Sequence, residues 1–237
     1  MLANLELAAA AGAELRFDTV VEQLELGPDG VHLVAGGEQL HAPRVVIATG
    51  AWAGRLANLD RYPIRAQRQT VHWLRPQTAV ADFDADRFPV YLWSHPVPAG
   101  ANRLEVYGFP HQPGDEGVKA SFYHDWLNPD VDPDTMQRTV SDSECQALRQ
   151  ALAPALPGLD GDCVTSEVCL YPSTPDDDFL LGLHPGSSGR VVLALGFAGH
   201  GFKFVPVVGE IVADLVIDGS TRHDIGFLSP ERYAGRR

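Results

Sequence analysis

Two lysines, Lys119 and Lys203, stand against sixteen arginines in a chain of 237 residues. In an arginine-rich composition a retained lysine marks a place where a compact, titratable amine is useful, or else chance in a biased proteome. Each has distinctive surroundings. Lys119 closes GDEGVK just before the aromatic pair Phe122 and Tyr123, with Asp115 and Glu116 near enough in sequence for a plain surface ion pair. Lys203 ends GFAGHGFK, in which Gly196, Gly199 and Gly201 allow a sharp bend and a close backbone approach to a ligand. The helix expected after this turn would aim its unpaired N–H groups and positive dipole end at the same ligand.

An anionic or electron-rich guest suits such a turn. A flavin ring is one, because its N1–C2=O edge becomes negative on reduction. A glycine-rich corner with packing duties alone is the other reading. His200, between two of the glycines, is either a base or a polar ring filling the bend. Cys169 and Tyr171 stand two apart in a strand-like run and so share a face, where a thiol and a phenol can line a pocket. A small buried hydrophobe is the other fate of that thiol. Asp176, Asp177 and Asp178 follow Thr174-Pro175 and fit a solvated turn or helix cap, and no metal site is assigned. No HExxH, GxSxG or phosphate-loop string occurs, so hydrolase and phosphotransferase readings lack support.

The elements that must hold these residues follow from the apolar pattern. Residues 2–11 read as a helix ended by Gly12; AELRFDTVVEQLEL and VHLVAG read as a hairpin around Gly27-Pro28-Asp29-Gly30. Val45 to Ala48 forms a short buried strand leading through Thr49-Gly50 into a helix, a parallel α/β unit. From Tyr62 to about Cys169 the alternation is antiparallel, in IRAQRQTVHWL, FPVYLWS and RLEVYGFP, interrupted by a helix from Ser141. RVVLALG then gives a buried strand, and FVPVVGEIVADLVIDG a helix. The fold class is therefore α/β plus α+β: an incomplete Rossmann-like dinucleotide domain, residues 1–62 and 176–237, with an inserted antiparallel-sheet substrate domain, residues 63–175.

A net charge of −13 argues against nucleic acid and anionic membrane as partners. The cysteines Cys145, Cys163 and Cys169 are odd in number and lack a CxxC pair, so neither zinc nor a disulfide framework is expected, and a reducing cytoplasm fits. No signal-peptide profile or membrane-length apolar run is present.

Taken together, CLYPSTPDDDF, RVVLALGFAGHGFKFVPVVGEI, TRHDIGFLSPERY, VVIATGAW with IRAQRQ, and YGFP followed by GVK run in the order found in one family. The chain resembles the monomeric sarcosine oxidase and N-methyl-L-tryptophan oxidase family of flavin-dependent amine oxidases. The resemblance implies FAD bound covalently through Cys169, with Tyr171 and Tyr107 as pocket tyrosines and Lys119 beside the flavin to activate oxygen. It further implies that Gly199, His200, Gly201 and Phe202 form the turn facing the ring, with Lys203 on the substrate carboxylate. Gly50 would lie near the cofactor and Val21 near its adenine. His124 follows Lys119 by five residues, one more than the family's pocket histidine, so its role stays open. The implied reaction oxidises an N-methyl amino acid with oxygen, giving an imine, then formaldehyde, and hydrogen peroxide. Met1 matches the middle of the family, and no GxGxxG follows an N-terminal strand. The expectation is accordingly a truncated gene product, a piece needing an N-terminal partner, or a remnant without flavin, with a related FAD-dependent amino-acid oxidase or dehydrogenase as the other enzyme reading.

Overall fold

The computed structural model describes residues 2–55, 59, 61–94, 105–123 and 130–233. Helix α1 (Leu2–Ala10) buries none of its side chains. Strands β1 (Val21–Leu26), β2 (Val31–Ala35) and β3 (Glu38–Ala42) form an antiparallel sheet in that order. The hairpin is as expected, but its first strand starts later and a third strand is added. Asp18 takes a left-handed φ of 51°, which ends any extended run from Ala13. Gly36 and Gly37, at φ 58° and 79°, make the tight turn that folds β3 back.

The second sheet is small and buried. Strand β4 (Val45–Ile47) runs parallel to β11 (Val191–Leu195), which pairs antiparallel with β10 (Leu180–Leu183). All five side chains of β11 are buried, since each face has its own core. Val191, Leu193 and Leu195 pack with Leu24, Val31, Ile47 and Tyr62, whereas Val192 and Ala194 pack with Ile211 and Leu215 of helix α3 (Val205–Ile217). A strand covered twice must be apolar at every position, which is why RVVLALG shows no alternation. The described residues after Gly50 form a 3₁₀ stretch, Gly50–Arg55, rather than an α-helix. Gly54 within it is a poor helix former.

The third sheet carries the broad surface. Strands β5 (Arg65–Leu74), β6 (Tyr91–Ser94), β7 (Glu105–Gly108), β8 (Val118–Tyr123) and β9 (Cys163–Ser173) lie in the order β6-β7-β8-β5-β9, all antiparallel. One face is core: Leu74, Val106, Val118 and Ala120 meet Leu148, Ala151 and Leu152 of helix α2 (Asp142–Leu152). Each leucine so buried contributes about 1.5–3 kcal/mol. The backbone N–H of Ser141 donates to Glu144 Oε2 (2.8 Å), closing the helix start, and Arg68 of β5 pairs with Glu144 Oε1.

The cysteine expectation is corrected here. Cys145 of α2 and Cys163 of β9 form a disulfide with Cα atoms 6.3 Å apart, leaving Cys169 free. An odd cysteine count does not preclude one bridge, and two cysteines 18 residues apart meet because α2 packs back on β9. Among the described residues no helix is long and apolar enough to cross a membrane.

Candidate active site

Register decides which side chains share the open face of the five-stranded sheet. On β9, Cys169 pairs with Gln69 and Tyr171 with Gln67 of β5; on β8, Lys119 pairs with Trp73. On β7, Tyr107 pairs with Ser121, two residues from Lys119. Strand partners point the same way and alternate residues repeat the direction, so Cys169, Tyr171, Lys119 and Tyr107 all lie opposite the α2 core. Four of the residues singled out in the sequence are thus brought together by three strands.

Their contacts are specific. The Tyr107 and Tyr171 hydroxyls are 3.4 Å apart, within hydrogen-bond reach of each other. Burial, helped by the neighbouring Tyr107, raises the Tyr171 phenol far above its ordinary range, so it stays protonated. Lys119 Nζ lies 5.1 Å from the centre of the Trp73 ring and 5.8 Å from that of Phe109. Among the described residues it makes no ion pair with Asp115 or Glu116; Asp115 instead accepts from Trp73 Nε1 at 2.8 Å and steadies the ring under the ammonium. Burial pushes the Cys169 thiol up, and the Lys119 charge partly offsets this.

The glycine turn closes over the same face. Gly196, Ala198 and Gly199 have φ of 66°, 46° and 72°, and Ala198 N donates to Pro172 O at 3.0 Å, docking the turn on β9. A Cβ on Gly199 would fall 2.4 Å from Tyr171 Cζ, so only glycine lets the backbone lie on that ring. The chain then enters a 3₁₀ turn, Phe202–Phe204, and α3.

Other expected residues lie elsewhere. Lys203 is exposed, its Nζ 5.7 Å from the Phe204 ring, and with His200 and Asp177 it lines a cavity of about 460 Å³ along α3. The His200 ring is 5.0 Å from that of Phe179. Phe202 is 78% exposed. Val21 begins β1 in the separate hairpin sheet. Gly50 opens the 3₁₀ stretch that packs against β5 and β9. His124 lies outside the described residues. The acidic triplet is a turn, with Asp177 at φ 56°, but Asp176 is engaged: Arg232 and Tyr233 Oη (2.8 Å) donate to it.

Two site residues escaped the sequence reading. Tyr123 stands edge-on to Tyr107 with ring centres 6.2 Å apart, and burial raises its phenol. Its period-2 spacing from Lys119 was the available signal, since Phe122, treated as its pair, turns into the α2 core instead. Trp73 could have been found the same way, two residues from Val71 in an alternating strand.

These residues suit one end of an FAD molecule. Around Gly50, at φ 53°, no atom lies within 4 Å of where a Cβ would stand, and the neighbouring Thr49 Oγ1 is buried without a partner among the described residues. An open backbone corner beside an orphaned hydroxyl, a free thiol and a cation over an apolar ring fit the redox ring of such a cofactor. For its pyrophosphate this sequence holds no GxGxxG string.

A buried mixed sheet is followed by a glycine turn that docks on an antiparallel sheet carrying thiol, cation and phenols on one face, and this places the chain in a class of FAD dependent oxidoreductases by family. The chain belongs to the DAO family of FAD dependent oxidoreductases, whose model matches residues 1–215. It is similar to monomeric sarcosine oxidase of Streptomyces avermitilis, at 39% identity over 98% of this chain and 59% of that protein. N-methyl-L-tryptophan oxidase of Salmonella arizonae is 28% identical over 97% of this chain and 58% of its own length. Among solved structures, the amino acid oxidase NikD superposes with a TM-score of 0.77 at 29% identity, covering 97% of this chain and 58% of that one. The chain therefore spans somewhat over half the length of the relatives it matches.

Proposed function

We propose that this chain supplies the substrate-side part of an FAD-dependent oxidase of secondary amines, acting on an N-methyl amino acid with oxygen and yielding hydrogen peroxide. The observation that carries the reading is the convergence of Cys169, Lys119, Tyr171 and Tyr107 on one sheet face. The names of its relatives, sarcosine oxidase and N-methyl-L-tryptophan oxidase, support the substrate class. When bound, the flavin accepts a hydride equivalent and returns the electrons to oxygen.

The residues present divide the remaining work. Cys169 holds FAD through its sulfur. Lys119 supplies positive charge, held over Trp73, where an oxygen anion is to be stabilised. Tyr171, its phenol kept protonated by burial, and Tyr107, within reach of it, hold the substrate by hydrogen bonds. Gly199, His200, Gly201 and Phe202 form the turn over the ring, with Gly50 and Val21 along the rest of the cofactor. Lys203 meets the substrate carboxylate by swinging from its exposed position on the turn. We divide the chain into a cofactor part, residues 1–62 and 176–237, and a substrate part, residues 63–175. The cytoplasm is the setting this reading keeps; the Cys145–Cys163 bridge pulls the other way, because disulfides persist mainly in oxidising compartments.

The test is to express the chain with its natural upstream sequence, purify it, denature it in acid and record the visible spectrum of the precipitated protein. Flavin absorbance that stays with the protein and is lost in Cys169→Ala supports the reading, as does a Lys119→Met variant slower in reoxidation than in reduction. Colourless protein despite supplied FAD sinks it in favour of a non-catalytic remnant.

A further inference from the structure

On the hairpin sheet, far from the residues of the flavin face, three metal-ligating side chains meet at one turn. His32 of β2 and His41 of β3 are direct cross-strand partners, so their rings leave the sheet on one side, with centres 4.8 Å apart. Asp29, at the tip of the turn between β1 and β2, folds back toward both. Its Oδ1 is 3.1 Å from His32 Nε2 and its Oδ2 3.7 Å from His41 Nε2. All three ligand atoms lie within 4.8 Å of one another.

We propose that Asp29, His32 and His41 form a binding site for a divalent transition-metal ion, zinc foremost. Zinc bonds to imidazole nitrogen and carboxylate oxygen at about 2.0–2.2 Å, so neighbouring ligands of a tetrahedral ion are about 3.3–3.6 Å apart. The observed nitrogen–oxygen separations, one to each oxygen of the Asp29 carboxylate, lie close to that edge. An ion placed between the groups replaces the contact between His32 and Asp29, taking the lone pair of each imidazole. Two imidazoles and one carboxylate leave a position for water and select zinc, cobalt, nickel or copper over calcium or magnesium.

The surroundings shape the site beyond chance proximity. A Cβ on Gly30 would lie 2.5 Å from His41 Nε2, and one on Gly27 2.8 Å from His32 Nε2, so the two glycines are what admit the ring nitrogens to the turn. Gly27 N donates to Gly30 O at 2.8 Å, closing the turn. Arg190 grips it from the side through Nη1 to Gly27 O (2.9 Å) and Nη2 to Pro28 O (2.7 Å). Glu25, the cross-strand partner of His32 on β1, adds a second negative charge on the same face. Eight residues lie between His32 and His41, which hides the pair from any short-motif search.

The experiment uses the untagged chain, stripped with chelator and titrated with zinc by calorimetry and with cobalt by visible absorption. The expected result is one ion per chain, a rise in melting temperature on zinc addition, and affinity weakened at least about tenfold in His32→Ala and in His41→Ala. Both side chains are exposed, so the variants should keep the parent's circular dichroism. The proposal is overturned by absence of saturable binding, or by binding that survives both histidine changes. It is likewise overturned if binding is lost in Cys163→Ser but not in His41→Ala, because His72, Cys145 and Cys163 would then be the ligands.

Discussion

Gly199→Ala tests the link between the glycine turn and the flavin face. Two costs are separable. Alanine at φ 72° sits in the left-handed region, at about 1–2 kcal/mol. Its Cβ would also stand 2.4, 2.5 and 2.6 Å from three carbons of the Tyr171 ring, where carbon atoms rest at about 3.5–4.0 Å. The ring must shift by about 1 Å, at the usual overpacking cost of about 1–3 kcal/mol. That shift also carries the Tyr171 hydroxyl away from Tyr107, now 3.4 Å distant. The expected loss is at least about 2 kcal/mol, read from urea unfolding followed by tryptophan fluorescence. In a Tyr171→Ala background the clash disappears and only the backbone cost of about 1–2 kcal/mol should remain, giving a coupling of about 1 kcal/mol or more. A single-variant loss under about 0.5 kcal/mol, or fully additive losses in the double variant, would refute the close approach of turn and ring.

Two further outcomes follow from ties elsewhere. Burial pushes the Asp176 carboxyl up, but hydrogen bonds from Arg232 and Tyr233 outweigh it and hold the group far below its ordinary range. Its stabilisation is present above the unfolded-state value of about 3.9 and is lost as pH falls through the lower folded value. Asp176→Asn should therefore cost about 1 kcal/mol at pH 7, after allowance for the group's partial exposure, and progressively less as pH falls below about 4; a pH-independent difference in denaturation midpoint counts against this. Cleaving Cys145–Cys163, which spans 18 residues, should lower stability by about 3 kcal/mol in reductant. Peptide mapping of the flavin-free chain should show those two cysteines linked and Cys169 alkylated, and Cys169 linked to either of them would overturn the assignment.

What the sequence disclosed followed from periodicity. Alternation along β5, β7 and β9 and the unbroken apolar run of β11 announce which sheets are half-covered and which is enclosed. The pairing of Cys169 with Tyr171 needs only the two-residue repeat, and it held. Lys119 and Tyr107 could not be placed beside them without register, which the chain sets through long-range packing against α2. The disulfide was invisible for the same reason: the meeting of Cys145 with Cys163 is a property of how α2 docks, not of their spacing. The strand β3 was missed because EQLHA carries one large apolar residue and is half of a tight glycine turn rather than a strand signal of its own.

The two faces of β8 divide by odd and even number. Val118, Ala120 and Phe122 are committed to the α2 core, whereas Lys119 and Tyr123 look out over the open face. A change at Lys119 or Tyr123 alters the chemistry of the open face, whereas a change at Val118, Ala120 or Phe122 acts on the packing against α2. Ser121, between them, is the exception: it is buried and its hydroxyl donates to Thr70 O, so the odd side of the strand is anchored at its middle and variable at its two ends.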